Sequence, residues 1–207
     1  MADLLSLIHS PHASIDEIGA YLDSLSQPAR LLAIDGLGLR AQRALYRKAA
    51  SAQPLSLTHF VPTNAAPRQD VCHQGRNTLP LPGRHRRFKK RFCRPDGDEQ
   101  RLFGYNDAPS QRLIGPGYFV AVPSTAQPSW AERGAIVIDY FQIPDGPVVE
   151  TWPTVIPNSQ GLQRFIYNGT RDFMRQVSAH VSIGAAYKGE IPVGSYFTLC
   201  RVENNPR

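Results

Sequence analysis

A chain of 207 residues, 42% apolar and 19% charged, is long enough to bury a real core and too apolar to be disordered, so it reads as one large domain or two small ones. The apolar run at residues 4–8 is too short for a secretion signal, nothing approaches the roughly 20 apolar residues that cross a bilayer, and three cysteines make no disulfide framework. The expectation is therefore a soluble, cytoplasmic protein with reduced thiols.

Along the chain, Ser14-Ile15-Asp16-Glu17 is a capping box ahead of Ile15, Ile18, Leu22 and Leu25, which recur at helical spacing. Pro28 suits a first helical turn, and Leu31, Leu32, Leu37, Leu45 and Tyr46 supply further apolar positions, with a break at Gly36 and Gly38. Residues 1–50 thus read as a helical N-terminal segment, electrically neutral with five acidic and five basic residues.

From residue 55 the pattern changes to short apolar runs between Pro, Gly and Asn, and residues 55–207 read as a β-rich core domain. Strands are predicted at 57–61, 87–93, 101–105, 118–122, 135–141 and 196–202, with Asp145-Gly146 as a turn signal. Leu162, Phe165, Ile166, Phe173 and Val177 fit a further helix over 159–176, weakened by Gly169. Beyond it, Val177, Ala179, Val181, Ile183, Ala185 and Tyr187 alternate with smaller or polar residues, which favours a strand over a helix. The fold class expected is α+β: N-terminal helices packed on a mostly antiparallel sheet, with closure into a small barrel left open.

The formal charge of +6 has one source. Arg84, Arg86, Arg87, Lys89, Lys90, Arg91 and Arg94 are seven cations in one run; removing them from 23 basic residues leaves 16 against 17 acidic ones, a net of −1. Phe88 and Phe92 share a face and are expected to anchor the run, leaving a cationic strip that could meet phosphates, carboxylates or nucleic-acid bases. Its plain alternatives are a charged edge strand or arginines paired with the chain's own acids.

Other candidates are weaker. Cys72, His73, His85 and Cys93 are zinc-ligand types, but no C-x-x-C pair exists, so no metal is expected. Gly36-Leu37-Gly38-Leu39-Arg40-Ala41 imitates a dinucleotide-binding turn but lacks the acidic residue and the βαβ alternation that should follow; no cofactor is expected. Asp139 lies in an apolar run and is the best candidate for a buried acid, unless it pairs with Arg164, Arg171 or Arg175. His180 between Ser178 and Ser182, or His73, could move protons. Two function classes stand: a non-enzymatic module binding a polyanion or acidic partner surface through residues 84–94, or an enzyme or small-ligand protein with a pocket inside the sheet that takes an acidic small molecule, using Asp139, His180 or His73. A weaker third is a docking role for the helical segment. Oligomeric state is not readable from the sequence.

Overall fold

The computed structural model describes residues 3–80 and 82–203. Four helices open the chain: α1 (Leu4–His9), α2 (Ile15–Ser24), α3 (Gln27–Asp35) and α4 (Leu39–Lys48). The capping box of α2 forms as the sequence predicts, Ser14 Oγ accepting from Glu17 N at 3.1 Å and Glu17 Oε2 from Ser14 N at 2.7 Å. At its other end the buried Arg30 donates from Nε and Nη2 to the carbonyls of Leu22 and Leu25, satisfying acceptors that a helix terminus leaves open. The apolar faces of these helices, among them Ile8, Ile18, Leu22, Ile34, Leu37 and Leu45, form one cluster with Val181, Ile183, Ala185 and Cys200.

Those last four residues belong to the outer wall of an eight-stranded closed barrel. Its strands are β1 (Val71–Asn77), β2 (Arg87–Cys93), β3 (Leu102–Asp107), β4 (Phe119–Pro123), β5 (Ile136–Asp139), β6 (Thr170–Gln176), β7 (Val181–Lys188) and β8 (Ile191–Arg201). Each pairs antiparallel with the next, and β8 returns to β1, with Gly75 opposite Leu199. The chain is therefore α+β, with N-terminal helices packed on a closed antiparallel barrel. Side chains alternate between wall and lumen. Inside one half lie Phe92, Leu102, Phe119, Ala121, Ile136, Ile138, Met174 and Leu199, closed from below by Phe60 of α5 (Leu57–Phe60). Outside, the long connection after β5 lays Trp152 against Tyr105 and Tyr118, and Trp130 of a short helix covers Val137 and Phe173. The other short helix, α6 (Gln111–Ile114), stands between β3 and β4; with the Trp130 helix as α7 (Pro128–Ala131) it completes the seven among the described residues.

Three elements differ from the sequence expectation. Where a strand was expected over 57–61 the chain forms α5 (Leu57–Phe60), because Phe60 has to turn into the barrel end, where it stacks on Phe92 at 4.8 Å. The helix expected over 159–176 is a 3-10 turn at Leu162–Phe165 followed by β6, the chain reversing at Gly169 with φ +72°. Strand β1 was not expected at all, since Cys72-His73-Gln74-Gly75-Arg76 carries no apolar alternation.

Gly104 shows how tightly the lumen is filled. A Cβ there would sit 2.4 Å from the Arg91 carbonyl oxygen and 2.4 Å from the Phe119 ring, and the first of these is backbone that cannot step aside. Gly104→Ala is expected to cost about 3 kcal/mol, the upper part of the overpacking range, despite the ~0.5–1 kcal/mol that alanine normally gains over glycine in a strand. Urea titration checks it; an unchanged midpoint would show that the strands can spread.

Candidate functional site

The up-and-down order sends four connections to one end of the barrel: those between β1 and β2, β3 and β4, β5 and β6, and β7 and β8. They surround a cavity of about 250 Å³. Its sides are mostly apolar, with Phe88, Ile114, Ile166, Tyr167, Val193 and Phe197 prominent. On or next to these connections Leu113, Phe165 and Ile191 are each about 70% exposed.

At the floor lies Lys90. Strand parity puts it there, because Phe88 and Phe92 on either side both turn into the lumen and a residue two positions away must follow them. Its side chain is 2% exposed, and Nζ donates to Asn106 Oδ1 at 2.8 Å, to Asp172 Oδ2 at 3.3 Å and to the Tyr140 hydroxyl, which uses all three of its hydrogens. Four rings surround it, with Phe119 and Phe197 at 5.0 Å, Tyr140 at 5.1 Å and Phe88 at 5.7 Å. The network continues outward. Tyr140 donates to Asp172 Oδ2 at 3.2 Å, and Asn106 Nδ2 donates to Tyr140 at 3.1 Å and to the Gly117 carbonyl at 2.9 Å.

Burial dominates the electrostatics of this cluster. It pulls the Lys90 ammonium below its ordinary pKa, against the attraction of Asp172, and pushes the Asp172 carboxyl above its own, against the attraction of Lys90. Both partners are thus drawn toward their uncharged forms. Burial also carries Tyr140 well above the usual phenol range and Tyr167, stacked on it at 5.3 Å, to about 12. A desolvated lysine with a carboxyl, a phenol and an amide within hydrogen-bond reach is equipped to exchange a proton, and to bind a ligand's oxygen where that oxygen takes the place of one of the three present acceptors.

The other residues of the basic run go elsewhere. Arg87 grips Asp35 at the end of α3 with two donors, Nε to Oδ1 at 2.9 Å, and Arg76 shares that carboxylate at 3.0 Å; the Arg87 bond holds Asp35 below the usual carboxylate range. Arg91 bridges Asp70 at 2.8 Å and Asp107 at 3.1 Å. Arg94 donates to the carbonyls of Ala65 and Pro62. Lys89 is exposed and Arg86 half-buried, while the side chain of Arg84 lies outside the described residues.

Asp139, His180 and His73 do not meet. Asp139 faces outward from β5, where Arg171 Nε lies 3.3 Å away and the Phe141 N–H and Gln142 Nε2 donate to it. His180 sits at the end of the barrel away from the cavity, 3.1 Å from Glu203. His73 is sealed in the lower lumen, its Nε2–H donating to the Phe60 carbonyl at 3.0 Å. His85 lines the mouth cavity, far from Cys72 and Cys93 in the wall. Among the described residues no group of three or more His, Cys, Asp or Glu side chains is placed to hold a metal ion. Nor is any helix among them long and apolar enough to cross a membrane.

The residues that do converge, Lys90, Asn106, Tyr140 and Asp172, were singled out singly or not at all in the sequence. Only Lys90 carried a signal, its position between two phenylalanines of one face. No family model, curated protein or solved structure matches this chain, so the cavity's geometry is the ground for a function.

Proposed function

We propose that the chain is a barrel-type binding protein for a compact small molecule with an apolar body and an oxygen-bearing head, held in the mouth cavity with the head toward Lys90. The observation that carries this reading is the convergence of four separate connections on a mostly apolar cavity that ends at one polar cluster. Small-molecule sites have that composition, and a cavity of about 250 Å³ falls just under their usual range of roughly 300–1,000 Å³, which limits the ligand to about the size of one aromatic ring with a short substituent. Because Asp172 already answers the charge of Lys90, an uncharged oxygen, a carbonyl or hydroxyl, suits the floor better than a second carboxylate, whose charge would add to that of Asp172.

The polyanion reading has less support. It needs the run at 84–94 turned outward, whereas Lys90 enters the barrel and Arg87, Arg91 and Arg94 are held by the chain's own carboxylates and carbonyls.

Ala186, beside Asp172 on the neighbouring strand, lines the cavity. Ala186→Phe is expected to fill the cavity and weaken binding of benzyl alcohol at least tenfold while leaving the circular dichroism unchanged. Titration by calorimetry of both proteins with benzyl alcohol, toluene and benzoate checks this. Equal affinity of wild type and variant, or no binding of any probe, would remove the cavity from consideration.

A further inference from the structure

The chain holds 19 arginines and only four lysines. Lys48 caps the Ala13 carbonyl at 2.6 Å, Lys89 and Lys188 are exposed, and the fourth, Lys90, is the residue at the cavity floor. An arginine could supply the same charge with more hydrogen bonds, but it cannot lose its proton, and a lysine can. A purely structural role explains the choice poorly, since a buried ion pair contributes no more stability than apolar residues of the same volume.

We infer that Lys90 captures small aldehydes or ketones as an imine on Nζ, with Asp172 moving the proton and Tyr140 and Asn106 holding the oxygen. This deepens the proposed function and rests on it. The amine must be uncharged to attack, and the 3.3 Å contact lets its proton pass to Asp172, giving an amine and a carboxylic acid. Burial pulls the ammonium down and the carboxyl up, which brings the uncharged pair closer to the ionic one, and desolvation of this kind is how buried lysines become nucleophiles. The Nζ lone pair then bonds to the carbonyl carbon while the C=O π electrons move to oxygen, which takes a proton from the now cationic nitrogen to give the neutral carbinolamine. Its hydroxyl leaves as water on protonation by the Asp172 acid while the nitrogen lone pair forms the C=N bond, giving a protonated imine beside the Asp172 carboxylate. The balance is one amine plus one carbonyl to one imine plus one water, with no oxidant or reductant. The imine when protonated pairs with the Asp172 carboxylate, and the surrounding Phe119, Phe197 and Phe88 rings keep water from reversing the step.

The test is reductive trapping of benzaldehyde with cyanoborohydride on the full chain, read by intact mass and peptide mapping. Lys89 is an internal standard one residue away on the outer face. A single benzyl adduct at Lys90, formed at least tenfold faster than at Lys89, is expected. It should be lost in Lys90→Met and in the better-packed Lys90→Met, Asp172→Leu variant, and slowed about a hundredfold in Asp172→Asn, the size of a typical acid–base contribution. Benzyl alcohol, which cannot form an imine, should compete with the adduct. Labelling of Lys89 and Lys90 at equal rates, or none at Lys90, in a protein that still binds benzyl alcohol would overturn the imine and leave the cavity standing. Failure of both compounds to bind would overturn both.

Discussion

Lys90→Met is expected to lower the free energy of unfolding by about 3–5 kcal/mol near neutral pH, and the Lys90→Met, Asp172→Leu double variant to recover most of that loss. The single change strands a carboxylate among Phe119, Tyr140 and Phe197, with only the Tyr140 and Asn106 groups nearby. Asp172 can escape by taking a proton. Burial already raises its folded pKa above the unfolded value, so the native state binds a proton that the unfolded state has lost. For such a group stability is full below the unfolded carboxylate range and is lost as pH rises toward the folded pKa. Without Lys90 to oppose it, that loss should be steeper. The penalty of Lys90→Met is thus expected to shrink between about pH 7.5 and about pH 4.5, measured as the difference between wild-type and variant urea titrations at each pH. A penalty that stays constant would mean that Asp172 finds another cation or water once Lys90 is gone.

How much of this was legible in the sequence depended on whether a strand stands out locally from its flanking turns. Strand β2 was read at its true bounds, with Phe88 and Phe92 on one face, and β3, β4, β5 and β8 within a few residues at most ends, because each of those four holds an apolar run bounded by turn residues. In β6 the inward Asp172 and Met174 alternate with an outward Phe173 that Trp130 covers, so both faces are buried and no period of two survives. In β1 the inward positions are His73 and Gly75, which look polar or empty, and Gly75 is required because Phe88 and Leu199 occupy the space its side chain would fill. The mouth cavity was hidden for a different reason. Its four walls come from connections up to thirty residues long, brought together only by closure of the sheet, and closure leaves no local mark. The basic run was a true asymmetry of composition, yet its partners Asp35, Asp70 and Asp107 are spread over the chain and meet it only in three dimensions.

Acid should unfold this protein through its lower lumen. His73 is fully buried among Phe60 and Phe92, and burial pulls its pKa down to about 3, with Arg201 adding to the shift and the Phe60 carbonyl opposing it. His59, whose ring lies 6.2 Å from that of His73, is held well below the usual range by burial and then by His73, Arg201 and His180. The unfolded chain protonates both near pH 6.5, whereas the native state does not, so between that value and about 3 the unfolded state binds more protons and stability falls as pH falls. At about pH 5 His73 alone should contribute a loss of about 2 kcal/mol relative to neutral pH. Replacing it separates this effect from general acid denaturation. His73→Phe keeps the ring volume but leaves the Phe60 carbonyl without its donor, so near neutral pH the variant is expected to be less stable by about 1–3 kcal/mol. Below pH 6.5 the variant has no proton to refuse at this position, its curve is flatter, and the two stabilities should approach or cross near pH 5. Urea midpoints for both proteins at intervals between about pH 7.5 and about pH 4.5 decide the matter. Parallel curves would show that His73 takes up its proton in the folded state, and the neutral, dry lower lumen would have to be given up.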